Sequence, residues 1–336
     1  MRDFRRSGSD RPRRSVRPMS VRDLTDRIAD AAVIPGFSRI GPALRRGGWK
    51  PIPRLDGRTA VVTGATSGIG AAAAAAMADL GARVVLVGRN PDKAETVRRQ
   101  IAAAAGDDLV AVELADLSVM AEIRDLAARL TDRYPEIHVL VNNAGVLLPE
   151  RSETPEGIET TLATNLLGHF LLTNLLLERL QHSAPARIIN VSSGGMYTSG
   201  IKPDDLQSEH DYDGRVAYAR TKRGQVILTE MWAERLAGTG VVVHSMHPGW
   251  AATPGVDAGI PFFGKVMGPL LRSPADGADT IVWLAAAAEP AETSGLFWHD
   301  RKPRPTHRVA RTRETPEQRE ALWSALRELS GWSQPG

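Results

Sequence analysis

The sequence contains no cysteine. Disulfides, thiolate metal sites and a cysteine nucleophile are therefore excluded, and a reducing, cytoplasmic setting is the expectation. No apolar run approaches the roughly 18 residues that a membrane span needs. The N-terminus also lacks the continuous hydrophobic stretch of a signal peptide. A soluble protein with no transmembrane segment is expected. What is present is apolar material for one large core: 336 residues, 42% hydrophobic and 24% charged, too short to demand two domains.

The net charge of +3 hides an asymmetry. Residues 1–54 carry 14 Lys/Arg against 5 Asp/Glu, a local +9, so the remainder carries −6. Arg11-Pro12-Arg13-Arg14 could attract phosphates of nucleic acid or anionic lipid. Residues 1–19 have no aromatic after Phe4 and no base-reading motif, so they read as a disordered basic tail without a specific nucleic-acid partner. Ser20 with Asp23 then resembles a capping box, and Val21, Leu24 and Ile28 recur at helical spacing up to Pro35-Gly36. Residues 20–54 are thus a helical N-terminal extension. Its apolar side continues through Phe37, Ile40, Leu44 and Trp49, and should dock on the main domain or on a partner subunit.

From Arg58 short apolar strands alternate with helices. Strands are expected at Thr59–Thr63, Arg83–Val87, Leu109–Leu114, Val139–Val141, Arg187–Val191 and Val241–Met246. Helices fall at Gly68–Leu80, Asp92–Ala104, Val119–Arg133, Ile158–Leu180, Val216–Leu236 and Ala275–Ala288. Continuous apolar strands in βαβ order mean an α/β single-domain Rossmann fold, a doubly wound parallel sheet with helices on both faces. The domain spans 55–300. Residues 301–336 form a C-terminal extension whose helix, Pro316–Leu329, docks through Leu322, Leu326 and Leu329.

The first strand runs into Thr63-Gly64-Ala65-Thr66-Ser67-Gly68-Ile69-Gly70 and then an alanine-rich helix. Three glycines permit a sharp turn and close approach to a pyrophosphate, which the helix N-terminus attracts. The Gly-Lys-Ser/Thr ending of a triphosphate-binding loop is missing. After the second strand stands Val87-Gly88-Arg89-Asn90, with no carboxylate to hold a ribose 2′-hydroxyl. Arg89 suits a 2′-phosphate instead, so NADP(H) is favoured and NAD(H) is the alternative.

Tyr218-Ala219-Arg220-Thr221-Lys222 puts a phenol and an ammonium on one helical face, about 6 Å apart along the axis. A cation some 4 Å from the phenol would lower its pKa by roughly three units from about 10, before desolvation opposes the shift. Ser192-Ser193 ends a strand at the carboxyl edge, where ligands of parallel sheets bind. Alternate strand residues face opposite ways, so only one of the two serines can serve. Asn142-Asn143-Ala144-Gly145 can brace the sheet edge, and Asn165 lies on the next helix.

Taken in this order, the glycine turn, N-N-A-G, the strand-end serine and Y-x-x-x-K resemble the short-chain dehydrogenase/reductase superfamily over about residues 55–300. The segments VSSGGM, DLQSE, MHPGWAATPGV and SGLFWHDRKPRPTH resemble the dehydrogenase/reductase SDR family member 12-like subgroup, related to retinol-dehydrogenase-type reductases. Ser193 and Tyr218, 25 residues apart, have the spacing of that type. The resemblance implies that Ser193 orients a carbonyl, Tyr218 exchanges the proton, Lys222 lowers its pKa and binds nicotinamide ribose, and Asn165 holds a relay water. It implies cofactor contacts from Gly64, Thr66, Ser67, Gly68, Ile69 and Gly70, and from Asp116 with Leu117 at the adenine. Asn143, Ala144 and Gly145 would line the adenosine ribose side, and Pro248, Gly249 and Thr253 would close over the nicotinamide.

His244 and His247 belong to no recognisable ligand set, so no metal is expected. The segment Gly259–Leu271, rich in Ile260, Phe262, Phe263, Val266, Met267 and Leu270, lies where the family places a substrate lid, and its apolarity suggests a lipophilic carbonyl or alcohol. Packing against the domain or a second copy of the chain is the competing explanation. The expected activity is NADP(H)-dependent carbonyl–alcohol interconversion. A non-catalytic dinucleotide-binding regulatory or scaffold protein of the same fold is the alternative.

Overall fold

Runs of Val, Ile and Leu too short for helices pair into one sheet. The computed structural model describes residues 34–252 and 268–333. Strands β1 (Thr59–Thr63), β2 (Arg83–Gly88), β3 (Val110–Leu114), β4 (Val139–Asn142), β5 (Ala186–Val191), β6 (Val241–Met246) and β7 (Phe297–His299) are parallel. A last strand, β8 (Lys302–Arg304), pairs antiparallel with β7. The spatial order is β3-β2-β1-β4-β5-β6-β7-β8. The order reverses beside β1, so the crevice above the carboxyl ends of β1 and β4 is the natural ligand site.

Among the described residues seven longer helices cover the sheet: α1 (Gly68–Asp79), α2 (Pro91–Ala105), α3 (Met120–Arg133), α4 (Gly168–His182), α5 (Gly214–Arg235), α6 (Pro274–Ala286) and α7 (Pro316–Ser330). Alternation along the strands divides the core in two. Val61, Val85 and Leu140 face α3, α4 and α5, while Ala60, Val62 and Leu86 face α1, α2 and α6. Ala73 and Ala74 let α1 approach α6 closely, burying Ala278 and Ile281. The C-terminal helix docks as expected, but aromatic contacts dominate: Trp323 meets Phe170 and Trp232 edge-on, at 5.0 and 6.1 Å between ring centres.

Some expectations require correction. The domain boundary at 300 would cut the β7–β8 hairpin, whose last strand lies in the supposed extension. Two three-residue strands give too little periodicity to read. The helix Thr160–His182 is long and apolar enough to cross a membrane by length and composition, contrary to the sequence reading. It is mostly buried, and forms the central core helix on its face of the sheet. In the N-terminal extension Phe37 is buried, yet Ile40 and Leu44 are exposed, because the short helix Ile40–Arg45 lies along the surface. The basic tail, the helix over Val21–Ile28, Thr253 and the lid residues 259–267 fall outside the described residues.

Candidate active site

The glycine turn adopts the geometry an anion needs. Gly64 has φ +65°, and a Cβ at Gly70 would lie 2.4 Å from both the Gly64 carbonyl and the Asn143 amide. Only glycine lets the first turn of α1 sit this low on the sheet. Ser67 precedes α1 but makes no capping bond, and the first turn has no acidic residue. By contrast α2, α5, α6 and α7 are capped by their own Asn90, Asp213, Ser273 and Thr315. The N-terminus of α3 is capped from a distance by the Glu156 carboxylate on the Met120 and Ala121 amides. The uncapped start of α1 therefore suits the pyrophosphate of a dinucleotide. Thr66 folds over the end of β2, where a Cβ on Gly88 would clash with its methyl group at 2.4 Å.

Just past β2 and β3 stand Arg89 and Asp116, and the structure pairs them at 3.2 Å. Burial would raise the Asp116 pKa, but the amide and hydroxyl of Ser118, with Arg89, hold it below the usual carboxylate value. Arg89 is 68% exposed, which leaves its remaining donors open to solvent. The Leu117 side chain is in the core, which leaves only its backbone for a cofactor. Asn143 donates to the Thr63 and Gly64 carbonyls, so its amide holds the glycine turn in place. Asn142 is buried and bridges to Thr173 and Asn190 behind it.

Ser193 ends the run after β5 and opens a short turn, Gly194–Tyr197, whose Gly195 amide donates to its hydroxyl at 3.1 Å. Tyr218, on the first turns of α5, stands across Gly195 from that hydroxyl: a Cβ on Gly195 would meet Ser193 Oγ at 3.5 Å and the Tyr218 ring at 3.7 Å. Ser192 points away and donates to the Lys222 carbonyl at 2.8 Å. Lys222, 3% exposed, donates from Nζ to the Val191 carbonyl at 2.9 Å, and Nζ lies 5.5 Å from the Tyr218 ring centre. A Cβ on exposed Gly145 would come within 3.4 Å of that Nζ, so Gly145 marks the open side of the site. Pro248 and Gly249 lie half-buried on the loop after β6.

The electrostatics differ from the expectation. Burial drives the Lys222 ammonium down to about 7, leaving it partly neutral near neutrality. Tyr218 is raised above 10, because burial outweighs the lowering by the neighbouring Ser193 hydroxyl. The three-unit lowering expected from Lys222 does not occur: the same burial that brings the pair together takes both charges out of water.

Asn165 sits in a π-helical turn, Ala163–Leu167, inserted ahead of α4. Its Oδ1 accepts from the Val146 amide at 2.7 Å, and its Nδ2 donates to the Val146 carbonyl at 2.9 Å and the Thr221 hydroxyl at 3.2 Å. Behind it, Gln225 donates to the Asn165 carbonyl at 2.8 Å and meets His169 Nδ1 at 2.9 Å. With the Gln225 amide as donor to both, His169 must accept at Nδ1 and carry its proton on Nε2. Thr221, Gln225 and His169 escaped the sequence reading. The available signal was the placement of Thr221 and Gln225 one turn apart on α5, and of His169 one turn after Asn165.

A glycine turn at the switch point of a parallel sheet, with a Ser–Tyr–Lys group two strands away, defines a dinucleotide-dependent oxidoreductase. The chain belongs to the short chain dehydrogenase family, whose family model matches residues 58–259. It is 41% identical over 280 residues to dehydrogenase/reductase SDR family member 12 of Bos taurus, covering 82% of this chain and 87% of that one. It is 36% identical over 298 residues to human retinol dehydrogenase 12, covering 87% and 93%. Among solved structures, a protein of Mycobacterium paratuberculosis aligns with a TM-score of 0.69 at 28% identity, over 86% of this chain and all of that one. A 3-oxoacyl (acyl-carrier-protein) reductase of Agrobacterium tumefaciens with NADP bound aligns with a TM-score of 0.60 at 25% identity, over 73% and 93%. The protein is accordingly an oxidoreductase that binds a nicotinamide dinucleotide and interconverts carbonyl and alcohol.

Proposed function

We propose that the chain is an NADP(H)-dependent reductase of lipophilic ketones or aldehydes, reversible toward the alcohol. The observation that carries the reading is the convergence of Ser193 and Tyr218 on Gly195 beside buried Lys222, open to the crevice at Gly145. When bound, the nicotinamide supplies or accepts a hydride at the carbonyl carbon. Ser193 donates a hydrogen bond to the substrate oxygen and orients it. Tyr218 gives its phenolic proton to that oxygen as the alcohol forms, and a proton from solvent restores the phenol. Its raised pKa keeps the proton in place near neutrality, which suits the reductive direction. Exposed Arg89 supports NADP(H) through a 2′-phosphate contact. The apolar sequence of Gly259–Leu271, half-buried Trp250 and the likeness to a retinol dehydrogenase support a lipophilic substrate.

The test is a turnover screen of NADPH and NADH against ketones and aldehydes of graded polarity, comparing wild type with Tyr218→Phe. Wild type should oxidise NADPH faster with lipophilic carbonyls, and Tyr218→Phe should lose about a thousandfold in kcat. Equal turnover by both proteins would refute the catalytic assignment, while preference for short charged ketones would refute the lipophilic one. Dinucleotide binding without any turnover would favour the non-catalytic scaffold reading.

A further inference from the structure

The N-terminal extension reaches the active site through Phe37, which is buried in one cluster with Met196, Tyr197 and Val226. We propose that Gly36–Ser38 forms a strap that fixes both walls of the site, with Phe37 and Arg272 as its positioning residues. The Phe37 ring is buried against the turn that begins at Ser193: a Cβ added to Gly194 would lie 2.7 Å from it. On its other side the ring meets His247, Trp250 and His299 edge-on, at 4.3, 5.8 and 5.3 Å between ring centres. One aromatic side chain thus touches the Ser193 turn and the loop after β6 together.

The backbone of the strap is held as firmly. The Phe37 carbonyl accepts from the Trp250 amide at 2.8 Å and from Arg272 Nε at 2.9 Å. Arg272, 1% exposed, also donates to the carbonyls of Gly36, Ser38 and Pro248, at 2.7, 3.1 and 3.2 Å. Its fork is closed by Asp300, with Nη1 to Oδ1 at 2.6 Å and Nη2 to Oδ2 at 3.0 Å. The Arg272 backbone completes the arrangement by pairing with the loop after β6: its amide donates to the Trp250 carbonyl at 2.7 Å, and its carbonyl accepts from Ala252 at 2.9 Å. Gly249 makes room for the junction. Its φ is +77°, and a Cβ there would lie 2.4 Å from Arg272 Nε and 2.6 Å from the Phe37 carbonyl. A lysine at 272 has no planar fork and could not satisfy four carbonyls and a carboxylate together.

Neither residue touches Tyr218 or Lys222 in any contact described above. They act through Ser193 and through the loop of Pro248 and Trp250, so the strap sets how the substrate oxygen and the nicotinamide side are presented. The kinetic arm of the test rests on the proposed oxidoreductase reading; the exchange arm does not. In the full-length protein, Phe37→Ala, Phe37→Leu and Arg272→Lys are compared with wild type well below their melting temperatures. Phe37→Ala should lower kcat/KM at least tenfold per folded molecule and leave the pH midpoints of kcat in place. Phe37→Leu, which refills the space, should regain most of the loss. Hydrogen exchange at the Trp250 amide and across 194–198 should rise at least tenfold in Phe37→Ala. Unchanged kcat and KM, or unchanged exchange at those amides, would overturn the proposal, as would a fall in melting temperature alone. If Phe37→Ala does not fold, Phe37→Leu and Arg272→Lys decide by the same criteria. If wild type turns over nothing, the oxidoreductase reading fails and exchange alone judges the strap.

Discussion

Lys222 is held by opposing demands. Its ammonium must lie beside Tyr218, and that position is dry enough to bring its pKa to about 7. The folded value is below the unfolded one, so between about pH 7 and 10.5 the unfolded chain binds more protons. The cost of burying the charge is therefore complete below pH 7 and is relieved as pH rises through that window. Lys222→Met should abolish turnover yet stabilise the fold at pH 6 by roughly a few kcal/mol, with the gain shrinking toward pH 10. Urea unfolding of both proteins at pH 6, 8 and 10 checks this, and a constant difference would contradict it. At this scale the sequence was partly legible. Tyr218 and Lys222 could be paired from their spacing, because helical geometry is local. Their pKa directions could not, because these depend on how much water β5, α5 and the π turn exclude.

The catalytic helix faces an element that periodicity conceals. A π turn adds one residue to a helix and shifts its face, so an apolar pattern read at 3.6 residues per turn runs through Ala163–Leu167 without a break. The inserted turn presents Asn165 to Val146 and Thr221 simultaneously. Gln225 secures it from below through the Asn165 carbonyl and neutral His169. Gln225→Leu should relax the turn and lower kcat about tenfold while dinucleotide binding stays within about twofold. Steady-state kinetics with fluorescence titration of the cofactor separates the two effects, and an equal loss in both would assign Gln225 to the cofactor site instead. The glycine turn and strands β1–β6 were legible because their signals lie within a few residues. The β7–β8 hairpin was not: its turn residues, Asp300 and Arg301, have φ of +50° and +56° without being glycine or asparagine. Contacts from Arg272 and Arg45 to Asp300, and from Asp279 to Arg301, hold a conformation their own sequence does not announce.

Across the whole molecule, several imidazoles are buried neutral. His169 is lowered to about 3 by burial and by Lys222, and burial takes His247 and His299 well below 6.5. Folded values below the unfolded value mean that the unfolded chain takes up protons first as pH falls below about 6.5. Stability should therefore decline steadily from pH 6.5 to pH 4, before most carboxylates titrate. Thermal melts across that range provide the measurement; a flat melting temperature down to pH 4.5 would contradict it.

The strap also constrains the order in which the chain can be completed. Phe37 and Arg272 are 235 positions apart, and Asp300 lies further on still. During synthesis, Gly36–Ser38 leaves the ribosome before any strand exists and waits for most of the protein to follow. Trp323 and Trp332, which cover Phe170, arrive last. The glycine turn can fold early from nearby residues, but both walls around Ser193 are completed only when the ends of the chain have been brought back to the middle. A nascent chain cut short before residue 272 would carry the dinucleotide turn without a finished place for its substrate.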